Sequence, residues 1–276
     1  MGEALNMIAF ISNRIRLTVK YLAYLVFSSN RKGHGIHSPF VFDFIIHVLR
    51  GQMKDEIQFK KIENWRIELI RSSDFITIED HGAGSSIKAG KSRSISSIAK
   101  HSLKSPKYAK VLYRIIAYYK PDSILELGTS FGVTTQYLAI ANPAASITTI
   151  EGAPEIAKIA QAGFKKNDCQ HVRLVQGDFN VELENVIGGM TGKKFFYVDG
   201  NHRYEPTIQY FNTIMSVSGK DDIIVFDDIH WSKAMEQAWR EIKEDKRVRY
   251  TIDLFFMGII FLKKDFLAKQ DFIIHI

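Results

Sequence analysis

The tract from Ser123 to Glu151 constrains the fold more than any other part of the chain. Ser123 to Leu127 is a short apolar strand, Gly128-Thr129-Ser130-Phe131-Gly132 is a glycine turn, and Val133 to Ala141 has helical spacing. A second apolar run, Ile147 to Ile150, then stops at the acid Glu151. Strand, turn, helix and a strand ending in a carboxylate is the unit with which a doubly wound α/β fold holds an adenosine. The backbone approaches the ligand at the turn, and the acid takes the ribose hydroxyls.

The alternation continues downstream. Strand patterns at Val172 to Val175, Phe195 to Asp199 and Ile223 to Asp227 are separated by helical patterns at Glu155 to Phe164, Tyr204 to Met215 and Lys233 to Glu244. A further helix, Tyr108 to Tyr119, precedes the first strand. This order predicts a parallel sheet covered on both faces, with ligands at the carboxyl ends of its strands. The last two apolar runs, Thr251 to Phe256 and Gly258 to Leu262, are too close for a helical crossover and predict an antiparallel pair. The 276 residues accommodate one large domain and an extension. The division read from periodicity is a helical N-terminal extension over 1–104, an α/β domain over 105–263 and a C-terminal tail over 264–276.

The glycines narrow the ligand. A dinucleotide site needs G-x-G-x-x-G, whose middle glycine lets the chain press on a pyrophosphate, and Ser130 stands at that position. S-adenosylmethionine has an adenosine and an amino-acid tail but no pyrophosphate, and Glu126, just before the turn, suits an ammonium group. On these residues the chain resembles the class I S-adenosylmethionine-dependent methyltransferases. The resemblance implies a Rossmann-like, doubly wound and mostly parallel seven-stranded sheet. It implies that Glu126 and Gly128 meet the methionine part, that Ser130 and Thr134 line the turn, and that Glu151 holds the ribose. Asp178 then faces the adenine amino group, and Thr129, Gly132, Gly152, Phe179 and Asp199 complete the cofactor site. Each of these residues also has a plain reading as a cap or turn former.

Two more strand ends are acidic: Asp199 in Val198-Asp199-Gly200-Asn201-His202, and Asp227-Asp228 in Phe226-Asp227-Asp228-Ile229-His230. On neighbouring strands, about 4.8 Å apart, these ends share one rim with the glycine turn. Two carboxylates ~4 Å apart repel by about 4 kcal/mol at an effective dielectric near 20, so the cluster must bind a cation or hold a proton. All-oxygen ligands favour Mg²⁺, Mn²⁺ or Ca²⁺ over zinc. The pattern resembles the metal-dependent O-methyltransferases, the catechol O-methyltransferase-like and macrolide sugar O-methyltransferase-like group. That resemblance implies Asp199, Asp227 and Asp228 as ligands of a divalent ion, and O-methylation of a small molecule. Successive strand residues point to opposite faces, so Asp227 and Asp228 can share an ion only if the strand has ended; otherwise they cap the helix near Ser232. His202 stands where the catechol enzymes carry a lysine base, which makes His202, with Asp199, the catalytic candidate and His230 its rival. His34 and His37 have H-x-x-H spacing without a third ligand.

The front of the chain is basic. Residues 1–120 hold 20 Lys+Arg and 9 Asp+Glu, whereas residues 121–276 hold 17 and 21. Such asymmetry suits an anionic partner or a solvated face, but no dense basic block or nucleic-acid motif is present. The helical pattern at 6–28 is apolar yet broken by Arg14, Arg16 and Lys20, so it is not a membrane span. Packing on the α/β domain, a homodimer contact and a membrane-surface contact are its three open fates. Ser38-Pro39, followed by Phe40, Val41, Phe44, Ile45 and Val48, predicts a capped helix, and Glu56 to Arg71 an amphipathic one. The Gly/Ser/Lys-rich stretch 80–94 predicts a loop, a lid or a connector. One cysteine, Cys169, excludes an internal disulfide and points to a reducing, cytoplasmic setting.

Overall fold

A computed structural model describes residues 2–28, 37–80, 88–263 and 268–276. The front is helical: α1 (Gly2–Phe27), α2 (Pro39–Phe44), continued by a π-helical turn over Ile45–Leu49, and α3 (Glu56–Arg71). Ser38 caps α2 by accepting from the Val41 N–H, with Pro39 at the first helical position. Val41, Phe44, Ile45 and Val48 are fully buried, as their spacing requires. His34 lies outside the described residues.

The stretch expected to be a loop before the α/β domain contains a hairpin instead. β1 (Phe75–Asp80) pairs antiparallel with β2 (Lys88–Ser94), from Phe75 opposite Ser94 to Asp80 opposite Lys88, while residues 81–87 lie outside those described. β2 contains no large apolar residue, so its pairing is imposed by the β-branched run Ile76-Thr77-Ile78 of β1. Ser94 then caps α4 (Ile95–Ser102) by accepting from the Ser97 N–H, and α5 (Pro106–Tyr119) follows after three residues.

From there strands and helices alternate: β3 (Ser123–Leu127), α6 (Val133–Ala141), β4 (Ser146–Glu151), α7 (Pro154–Lys166), β5 (Arg173–Gln176), α8 (Phe179–Ile187), β6 (Lys194–Val198), α9 (Tyr204–Val217), β7 (Ile223–Asp227) and α10 (Lys233–Glu244). β8 (Tyr250–Asp253), β9 (Met257–Phe261) and β10 (Gln270–Ile273) end the chain. The sheet has eight strands in the order β10-β8-β9-β7-β6-β3-β4-β5, all running one way except β9. The expected count of seven is corrected by β10, which lies in the segment expected to be a tail. It is short and polar, and pairs parallel to β8 from Gln270 opposite Tyr250 to Ile273 opposite Asp253.

Side-chain alternation divides the core. Ile124, Phe195, Tyr197, Ile223 and Val225 face one side with Leu112 and Ile115 of α5 and Phe164 of α7. Leu125, Phe196, Val198, Ile224 and Phe226 face the other with Leu183 of α8, Ile214 of α9 and Trp239 of α10. Burial on both faces is why these strands read as continuous apolar runs. Trp239 lies so close to β9 that a Cβ at Gly258 would come within 2.6 Å of its ring. The front packs on this body through a third cluster, in which Phe59, Ile62, Ile95 and Ala99 meet Ala109, Tyr113, Phe131 and Tyr137. Hydrogen bonds from Trp65 Nε1 to the Phe131 carbonyl (3.3 Å) and from Tyr137 Oη to Glu63 Oε1 (2.8 Å) hold α3 to the turn before α6 and to α6 itself.

Candidate active site

A cavity of about 710 Å³ opens at the carboxyl ends of β3, β4, β6 and β7. Its floor begins at the turn after β3, where Gly128, Ser130 and Gly132 all have positive φ (+100°, +48° and +72°). Glycine is obligatory at position 128: besides the positive φ, a Cβ there would lie 2.0 Å from the Asp199 carbonyl oxygen. Glu151, ending β4, borders the cavity and accepts backbone N–H bonds from Ser130 (2.9 Å) and Ala153 (3.0 Å). Burial raises its pKa against the lowering effect of those bonds.

Five residues implied as the cofactor site border this cavity: Gly128, Ser130, Glu151, Phe179 and Asp199. The others stand behind it. Glu126 is fully buried beneath the turn, where its Oε2 accepts from the hydroxyls of Thr135 and Thr149 (2.7 Å). Its Oε1 has no partner among the described residues, and burial pushes its pKa up to about 8. Thr129 shares a hydrogen bond with Thr149 (2.6 Å), Gly132 caps α6, and Thr134 is buried in its first turn. Gly152 follows Glu151 outside the cavity lining, and Asp178 caps α8 by accepting from the Asn180 N–H (2.8 Å). For Asp178 the capping reading is therefore the one the structure displays.

The three aspartates converge on the opposite wall. Asp228 has φ +52° and donates its N–H to the Phe256 carbonyl (2.6 Å), so the strand has ended at Asp227. This kink lets successive residues border the same cavity, and neither of them caps α10, whose N-cap is Ser232. Asp199 Oδ2 accepts from Tyr197 Oη (2.9 Å), and its Oδ1 lies 3.6 Å from His202 Nε2, which is also 4.0 Å from Asp228 Oδ2. His230 is turned away: its Nε2 is 2.8 Å from Asp253 Oδ2, in a separate cavity beneath α1.

Sequence reasoning missed Lys104. It lies between α4 and α5, its side chain is 11% exposed, and its Nζ donates to Asp227 Oδ2 and stands 3.9 Å from Asp228 Oδ1. Burial alone would lower its pKa, but Asp227, Asp199 and Asp228 outweigh that and raise it, so the group is an ammonium. At Asp227, 1% exposed, burial first and Asp199 next raise the pKa, and the Lys104 ammonium works against them. The divalent ion implied by the acid pattern does not fit this arrangement. Among the described residues no group of three His, Cys, Asp or Glu is placed to hold one, and an oxygen it would need is bonded to Lys104. Tyr108, Trp231 and Phe256 also border the cavity, and Ile98, His101 and Ser102 of α4 do so from the helical front, which thus forms one of its walls.

Residues 125–229 match a family model described as a methyltransferase domain. No curated protein matches the chain. Among solved structures it is similar to the SAH-bound methyltransferase PaMTH1 of Podospora anserina, at 17% identity and TM-score 0.57 over 82% of this chain and 97% of that one. It is similar to cofactor-bound Rv0187 from MTB at 16% identity and TM-score 0.54, over 82% and 98%. The O-methyltransferase from Bacillus cereus in complex with SAH matches at 15% identity and TM-score 0.51, over 76% and 92%. These similarities establish the fold. Among the described residues no helix is long and apolar enough to cross a membrane.

Proposed function

We propose, from the premise that this chain is a methyltransferase of the class I fold that draws its methyl group from S-adenosylmethionine, that the acceptor is a hydroxyl of a small molecule. One observation carries this reading: the Gly128–Ser130 turn and Glu151 share a single cavity with Asp199, His202, Asp227 and Asp228. Donor and acceptor sites are thus continuous, and about 710 Å³ lies within the ~300–1,000 Å³ of small-molecule sites. The aromatic side chains of Tyr108, Trp231 and Phe256 on its wall suit a planar acceptor.

When bound, S-adenosylmethionine supplies an electrophilic methyl group on a sulfonium. The turn at Gly128 and the Glu151 carboxylate would orient that donor, and the opposite wall would align the acceptor oxygen for in-line displacement. His202 Nε2, 3.6 Å from Asp199 Oδ1 and 4.0 Å from Asp228 Oδ2, would take the hydroxyl proton. The divalent ion suggested by the acid pattern is left out of this reading, because Lys104 engages Asp227. A reducing, cytoplasmic compartment suits the buried free thiol of Cys169.

Calorimetry with S-adenosylmethionine tests the donor, and absence of heat at millimolar concentration would sink the reading. Transfer of labelled methyl groups to a panel of phenols, catechols, sugars and amines tests the acceptor. Methylation of amines alone would overturn the hydroxyl assignment.

A further inference from the structure

Three carboxylates on one wall of a cavity need a counter-charge, and the chain provides one from outside the sheet. Lys104 Nζ donates to Asp227 Oδ2 and lies 3.9 Å from Asp228 Oδ1. Its backbone is held between the end of α4 at Ser102 and the N-cap of α5 at Ser105, so the ammonium is delivered by two helices rather than by a free loop. A divalent ion would compete for the same atoms. Mg²⁺ or Mn²⁺ bound to Asp227 would bring two positive charges against an ammonium that is already bonded there, in a site where Asp227 is 1% exposed.

We propose that the Lys104 ammonium, not a divalent metal ion, is the resident cation of the Asp199–Asp227–Asp228 cluster. It pairs with Asp227, offsets part of the cluster's negative charge and places positive charge on the wall where the acceptor oxygen sits. The second half of this assignment rests on the methyl-transfer reading, whereas the first concerns only what the acids bind.

The test is Mn²⁺ binding by the full chain, read by the electron paramagnetic resonance of free Mn²⁺ and by calorimetry, for the wild type, Lys104→Met and Lys104→Arg. The wild type and Lys104→Arg are expected to show no stoichiometric site up to millimolar Mn²⁺. Lys104→Met, which keeps the length of the stem without its charge, frees Asp227 to turn with Asp199 and Asp228 toward an ion, an arrangement they do not have while Lys104 is bonded there, and is expected to gain a site tighter by on the order of 100-fold or more. One Mn²⁺ bound per wild-type chain at micromolar concentration would overturn the proposal, whether or not the methionine variant folds. So would a folded Lys104→Met that binds no better than the wild type. S-adenosylmethionine calorimetry on the same preparations separates this result from failure of the methyl-transfer reading, since metal binding needs no substrate.

Discussion

Replacing Glu126 by glutamine probes the electrostatics beneath the cofactor turn. Glu126 is fully buried, with two threonine hydroxyls on Oε2 and no partner for Oε1 among the described residues. Burial raises its pKa from 4.5 to about 8; the hydroxyl bonds oppose the shift, and the charges of Asp199 and Glu151 add to it. The folded state therefore holds this proton more tightly than the unfolded chain does. Its stabilising contribution is complete below the unfolded value of 4.5 and drains away as pH rises toward 8. At about 1.4 kcal/mol for each tenfold change in acidity, the whole loss is on the order of 4–5 kcal/mol. That is a large fraction of a typical domain stability of ~5–15 kcal/mol. Glutamine keeps the shape and an oxygen for both threonines but cannot ionise. Urea denaturation of Glu126→Gln and the wild type, compared between about pH 5 and pH 9, should find them within ~1 kcal/mol at the acid end. At the alkaline end the variant should be ahead by several kcal/mol. Asp227 and Asp228, whose pKa values are also raised, tilt both curves alike, whereas Glu151 is coupled to Glu126 and its coupling is part of the difference. A difference that stays constant across the range would refute the reasoning.

Three further perturbations bear on the site and its supports. Gly128→Ala sets a methyl group against the Asp199 carbonyl oxygen at φ +100°, and the backbone strain alone costs about 1–3 kcal/mol. Thermal melting should drop by several degrees and calorimetric binding of S-adenosylmethionine should vanish; retention of both would discredit the close approach described for this turn. His202→Ala should lower kcat by about 10²–10⁴-fold while leaving the donor's Kd unchanged. Loss of the acid limb of the pH–rate profile distinguishes a base from a structural residue, and an unaltered profile removes His202 from the chemistry. Glu236→Gln deprives Arg16 (2.5 Å) and Lys20 (2.7 Å) of their shared carboxylate, and because both pairs are partly exposed the cost should be only ~1 kcal/mol. Hydrogen exchange should accelerate in α1 before the sheet, and unchanged exchange there would show that these pairs do not anchor it.

Strands that fill a sheet centre announce themselves. β3 and β7 coincide with the apolar runs Ser123 to Leu127 and Ile223 to Asp227, because burial on both faces favours apolar residues along the strand; the buried polar residues within β3, Ser123 and Glu126, are each hydrogen-bonded. Edge and hairpin strands carry no such mark. Gln270-Asp271-Phe272-Ile273 is mostly exposed and becomes a strand through its hydrogen bonds to β8, supplemented by Thr251 Oγ1 donating to Asp271 Oδ1. Lys88 to Ser94 is paired by β1 in the same way. Local pattern reports what a segment buries, and these two segments are ordered by what they bond.

The acids of the site were legible for a related reason. A carboxylate directly after a buried strand has one place to be, the carboxyl rim of the sheet, so Glu151, Asp199 and Asp227 follow from strand order alone. Their mutual repulsion made a cation or a proton necessary as well. The identity of the cation was not legible, because Leu103-Lys104-Ser105-Pro106 has the composition of any connector between two helices. Nothing local distinguishes a lysine that meets solvent from one that meets Asp227, 123 residues further on. A boundary drawn after residue 104, where the periodicity changes, would cut the ammonium from the carboxylate it pairs with. The helical front is therefore part of the site: it closes one wall of the cavity with Ile98, His101 and Ser102, and it carries the charge without which Asp227 would be a buried, uncompensated carboxylate.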